Sequence, residues 1–157
     1  MSYDRLSAVN YAKKWALSRN PKFFNFDTLG GDCTNFVSQC VFAGAKTMNF
    51  SFDKGWYYKN LNSRSPSWTG VDFLIDFLLT NNGKGPFARE VSKNQIEVGD
   101  VIFLGRDNGD FYHTLFVNAV IDANIFVASH TRDAYNKPLS NYLYQNIKFL
   151  HIDGVRK

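Results

Sequence analysis

The chain has 157 residues, a net charge of +4 and a pI near 9.1, with 45% apolar and 17% aromatic residues. That length fits one folded domain over residues 1–157, able to bury a core without disulfide staples. Basic residues are dispersed, which excludes the clustered stripe of a nucleic-acid binder. A diffuse positive surface suits an anionic polymer and equally suits solubility alone. No apolar run nears the roughly 18 residues of a membrane span, and Met1-Ser2-Tyr3-Asp4-Arg5 lacks the apolar stretch of a signal peptide. Two origins stay open: a protein cytosolic as made, or a piece of a longer secreted chain. Oligomeric state is not encoded in any pattern here.

Residues 4–19 read as a helix, because Leu6, Val9, Ala12, Trp15 and Ala16 recur at helical spacing until Asn20-Pro21. Residues 21–31 form an aromatic loop closed by Gly30-Gly31. Asp32 is the expected N-cap of a second helix that runs to about Ala43 and stops at Gly44. Residues 46–70 are rich in Asn, Ser, Trp and Tyr. Their aromatics Trp56, Tyr57, Tyr58 and Trp68 either line a substrate groove or cover the core. A third helix is expected over 70–80, with Val71, Phe73, Leu74, Phe77 and Leu78 on its pattern and Asn81-Asn82-Gly83 closing it. The remainder alternates as strands at Val101–Leu104, Tyr112–Ile121, Ile125–Ser129 and Ile147–Ile152. Asp107, Asn108 and Asp110 lack the ligand order of a calcium loop and read as a plain turn. Helices first and strands afterwards give an α+β fold, with the helices on one face of an antiparallel sheet.

The densest chemical signal is Gly30-Gly31-Asp32-Cys33-Thr34-Asn35-Phe36-Val37-Ser38-Gln39-Cys40. It sets a thiol where a glycine bend enters a helix. The positive end of the helix dipole favours the thiolate there, and the thiolate is the nucleophile. The backbone N–H of Cys33 can also stabilise a developing oxyanion, with a second donor that the sequence does not name. Cys40 falls on the apolar stripe Phe36, Val37, Val41 and reads as a buried hydrophobe. Seven helical residues separate the Cα atoms of Cys33 and Cys40 by roughly 10 Å, beyond the span of a disulfide. Two cysteines without a CxxC pair give no zinc site.

A cysteine nucleophile needs a base and a group that orients the base. His113 opens the strand bearing Leu115, Val117 and Ala119 and shares their face, at the end where a cleft would form. A two-residue turn at Asp122-Ala123 sets His130 opposite Leu115 and diagonal to His113, within reach of its ring. A turn of different parity would turn His130 away and leave Asp133 or Asn136 as the orienter. The chemistry calls for no cofactor and no metal. His151 reads as an ordinary strand or surface residue.

The Gly30–Gln39 motif, together with Ser67-Trp68, Gly99-Asp100-Val101-Ile102-Phe103, Tyr112-His113 and Ser129-His130-Thr131, resembles the bacterial putative amidase domain family, over about residues 5–145. That family is similar to the CHAP and NlpC/P60 papain-like cell-wall hydrolases, in which Asp-Cys-Ser-Gly takes the place of Asp32-Cys33-Thr34-Asn35. The resemblance implies a papain-like core with Cys33 as nucleophile and His113 as base. It also implies a polar third residue on the next strand, where His130 follows the NlpC/P60 rather than the CHAP pattern. The implied substrate is an amide bond of peptidoglycan, hydrolysed through a thioester, with Trp56, Tyr58 and Trp68 as groove candidates. Two other readings are a deamidase, transglutaminase or acyltransferase toxin on the same scaffold, and a non-catalytic wall-binding module.

Overall fold

The computed structural model describes residues 2–157 and opens with helix α1, Arg5–Trp15. Asp4 caps it, accepting from the Ser7 N–H at 3.0 Å. Ala8 and Ala12 are small enough to let α1 lie closely on helix α2, Cys33–Ala45. Gly44 does not end α2, contrary to the sequence reading. It lies inside the last turn, where an added Cβ would stand 2.5 Å from Tyr3 Cε1 and 2.7 Å from the Asp4 carbonyl. The glycine is a notch that admits the chain entering α1. The helix instead ends at Lys46, a left-handed residue (φ 57°) whose N–H returns to Phe42 O.

A small hairpin comes next, β1 Tyr58–Asn60 and β2 Ser63–Arg64. Then come α3, Pro66–Thr69, and α4, Val71–Thr80, separated by the extended Gly70. Leu74, Ile75, Phe77 and Leu78 face inward, while Phe73 is 61% exposed. Trp56, Tyr58 and Trp68 take the core alternative rather than the groove. Both indoles have no exposed surface, and Tyr58 is buried. Trp56 and Trp68 lie with ring centroids 4.8 Å apart and donate to Ser38 Oγ and Asn35 Oδ1 on α2. An aromatic body with one polar tip is stable inside when that tip is satisfied. Neither indole leaves a ring face exposed.

The sheet comprises β3 Gly85–Val91, β4 Val101–Gly105, β5 Phe111–Ile121, β6 Asn124–Ser129, β7 Ala134–Pro138 and β8 Asn146–Arg156. Their order is β3-β8-β4-β5-β6-β7, with every neighbouring pair antiparallel and both edges open. β4 and β5 are joined through the Arg106–Asp110 turn, as its sequence implies. One face of the sheet meets α1, α2 and α4 through Val101, Phe103, Phe116 and Leu150. The other face carries Ile102, Leu104, Leu115, Val117, Ile125 and Val127, covered by Ile96, Leu139 and Tyr142. The architecture is α+β, with N-terminal helices packed against a C-terminal open antiparallel sheet. No helix among the described residues is long and apolar enough to cross a membrane.

Candidate active site

Gly30 and Gly31 turn the chain into α2 with φ of 90° and 99°, a region that side chains with a Cβ rarely occupy. Asp32 then holds the N-cap position, but its carboxylate makes no cap bond to the helix. Its Oδ1 accepts from the Phe26 N–H at 2.8 Å and from Asn35 Nδ2 at 2.9 Å, and its Oδ2 faces His130 Nδ1 at 2.5 Å. Burial pushes this carboxyl up, but hydrogen bonds from His130, Asn35 and Phe26 outweigh it and hold the group below the usual aspartate value. The expected capping role is therefore replaced by buried hydrogen bonds to Phe26, Asn35 and His130. As an acceptor, Asp32 cannot itself stabilise an oxyanion. The first-turn N–H groups of α2, left uncovered by it, keep their field for the residue at the helix start.

That residue is Cys33, 8% exposed, with its sulfur 3.9 Å from Thr34 Oγ1. Thr34 Oγ1 is hydrogen-bonded to Thr114 Oγ1 at 2.8 Å, which braces the first turn of α2 against β5 beside His113. Cys40 is fully buried, and its thiol is pushed well up by that burial. Both cysteines are free. Among the described residues, no group of three or more His, Cys, Asp or Glu side chains is arranged to hold a metal.

His113 pairs with Leu104 and alternates with Thr114, so it lies on the face of Leu115 and Val117. The sequence reading of its apolar face is right, but both faces of β5 are buried. The face His113 shares is the one behind the sheet, and it is Thr114 that reaches α2. His113's neighbours there are Tyr142, with ring centroids 6.1 Å apart, and Lys137. Burial first, and the Lys137 charge second, lower its pKa to about 4, so the ring is neutral at neutral pH. Tyr142 also lies 3.5 Å from Ser129 Oγ and beneath Lys137 Nζ. Sequence reasoning missed Tyr142 and Lys137, which carry no motif. Ser129 was present in the motif and went unused.

His130 is not brought to His113. The Asp122-Ala123 turn does have two residues, both at positive φ, and pairs Ile121 with Asn124. A bulge then intervenes at Asn118, between the pairs Ala119–Phe126 and Val117–Val127. One extra residue reverses parity, so His130 turns to the helix side. There it stacks on Phe36 at 4.1 Å and is 1% exposed. Its Nδ1 meets Asp32 and its Nε2 meets the Trp15 carbonyl at 2.8 Å. Asp133 and Asn136, the alternative orienters, are engaged elsewhere. Asp133 binds Arg19, and Asn136 binds the bulge residue Asn118. A cleft of about 370 Å³ between loop 49–55 and α4 includes neither Cys33 nor any histidine.

A family model described as Putative amidase domain matches residues 2–152, and the chain belongs to that family. Membership supports a hydrolase-type activity. Among curated relatives, the chain is 39% identical over 137 residues to Uncharacterized protein YhbB of Bacillus subtilis (strain 168), covering 84% of this chain and 42% of that protein. It is 25% identical over 144 residues to Uncharacterized protein YjcM of the same organism, covering 87% and 32%. The chain thus spans less than half the length of either relative. No solved structure matches it.

Proposed function

We propose that this chain is a cysteine-dependent amide hydrolase on a papain-like scaffold of the NlpC/P60 and CHAP kind, acting on amide bonds of peptidoglycan. The observation that carries the reading is the position of Cys33, at the first residue of a 13-residue helix whose N-cap carboxylate is diverted to other partners. A neutral imidazole at His113 has the protonation state a general base requires. It takes the Cys33 proton as sulfur attacks the amide carbon. The resulting oxyanion is met by the Cys33 N–H. Imidazolium returns the proton to the leaving amine, giving a thioester. Water, giving a proton to the same imidazole, then releases the acid and restores the thiol.

This route makes a structural demand. The His113 ring and the first turn of α2 lie on opposite faces of β5. The start of the strand must turn to bring them together. A bulge at Tyr112, between the pairs Leu104–His113 and Gly105–Phe111, loosens the ladder at that point. Purified peptidoglycan incubated with the protein should yield new amino termini, detected by mass spectrometry of the released fragments. Cys33→Ala should fold and yield none, and His113→Ala should lose about 10²–10⁴-fold in rate. Full activity in folded Cys33→Ala overturns the proposal. New isopeptide or ester bonds in place of new amino termini would assign a transferase instead.

A further inference from the structure

We infer that His130 is a doubly protonated positioning residue whose positive charge cancels the carboxylate of Asp32, the residue before Cys33 in the chain, a role that rests on Cys33 being the nucleophile. The proton count comes from the partners. The Trp15 carbonyl can only accept, and it stands 2.8 Å from Nε2. Asp32 Oδ2, 2.5 Å from Nδ1, accepts as well, because three other contacts hold the carboxyl as an anion: Phe26 N–H, Asn35 Nδ2 and Arg19 Nε at 3.5 Å. Two acceptors on the two ring nitrogens require two N–H donors. Stacking on Phe36 removes the ring from water, so the cation depends on Asp32 and Asp32 on the cation.

The surroundings decide what this charge does. Facing the pair are Arg19 from the loop after α1, Tyr11 and Trp15 from α1, and Phe36 from α2, while Cys33 follows Asp32 in the chain. Tyr11 is neutral, its hydroxyl donating to Gln39 Oε1. Arg19 also binds Asp27 and Asp133. Two cations therefore face three carboxylates. Without the His130 proton, a second uncompensated negative charge would stand at the residue before Cys33 and oppose thiolate formation. The same bonds tie the β6–β7 turn to the helix start. Thr131 Oγ1 accepts the Asp32 N–H at 3.0 Å, and Thr131 and Arg132 sit at φ 59° and 63°.

Two measurements test this. Nitrogen-15 NMR of the wild-type protein at pH 7.5 should show both His130 ring nitrogens protonated. One unprotonated nitrogen overturns the inference without recourse to any variant. The pH dependence of Cys33 alkylation by iodoacetamide, read by mass spectrometry of the labelled peptide, reports the charge effect. His130→Gln should move its midpoint up by about one pH unit, roughly tenfold slower labelling below it. The double variant Asp32→Asn with His130→Gln, which removes both charges, should return labelling to within about threefold of wild type. An unmoved midpoint in the single variant, or a double variant slower than the single, overturns the inference, since a purely structural contact would not be rescued by losing its partner. If wild-type Cys33 labels no faster than an ordinary thiol, the nucleophile assignment fails, while the NMR result still decides the ion pair.

Discussion

Two Gly-Asp corners in this molecule are built alike and serve differently. Gly31-Asp32 and Gly99-Asp100 each begin with a glycine at strongly positive φ (99° and 89°). In each, the next residue is a fully buried aspartate that accepts from at least one backbone N–H, faces a histidine Nδ1 and lies beside an arginine. At Asp100 the partners are Arg5 at 2.8 Å, His151 at 2.9 Å and the N–H groups of Ile152 and Glu97. That corner ties α1 to β4 and β8. The residue after each aspartate decides the outcome. Val101 leads into a strand, whereas Cys33 leads into a helix. A Gly-Asp corner is thus a general fastening, and the thiol after it makes one of the two a candidate for chemistry.

Removing the fastening that carries no thiol should give the largest effect on stability. Asp100→Ala strands Arg5 and is expected to cost about 3 kcal/mol, a fall in Tm of roughly 6–12 °C for a chain of this size. Labelling of Cys33 in the folded variant should stay within about twofold of wild type, and a larger change would break the separation between the corners. Next is Gly44→Ala, which drives a methyl group into the Tyr3 ring and the Asp4 carbonyl and is expected to cost about 1–3 kcal/mol by denaturant unfolding. Thr34→Val should cost about 1–2 kcal/mol by leaving the buried Thr114 hydroxyl without its partner. Because that bond braces the Cys33 corner against β5, slower alkylation should accompany the loss.

The smallest effect at neutral pH comes from His113. Its folded pKa is about 4, lowered from 6.5. The unfolded chain therefore binds a proton that the folded chain does not between those values. This group leaves stability untouched above about pH 6.5 and lowers it progressively as pH falls to about 4. His113→Asn should flatten that part of the stability profile, measured as Tm against pH.

The legibility of this architecture in the amino-acid sequence depends on local pattern. The three main helices and the four central strands come from apolar spacing, and the placement of Cys33 comes from the glycine bend. Edge strands β3 and β7 were missed. Gly85-Pro86 and the charged pair Arg89-Glu90 interrupt the first, and Asn136 at φ 58° and Pro138 interrupt the second. The partner of His130 was missed for a different reason. The turn length was right, but the single inserted residue Asn118 leaves no trace in composition, and parity is all that fixes a strand residue's face. His113 was assigned to the correct stripe of β5. Only the three-dimensional packing shows that both stripes of that strand are buried, and which one meets the helices.

The tryptophan pair has a practical consequence. Trp56 and Trp68 are wholly shielded from solvent and lie within a cluster that includes Phe23, Tyr58 and Phe77. Their emission should be blue-shifted and insensitive to iodide quenching in the native protein, then shift to the red on unfolding. Trp15, only partly covered, supplies the quenchable fraction. Ordinary fluorescence can therefore follow the integrity of the helix–sheet core in each variant, with no added dye.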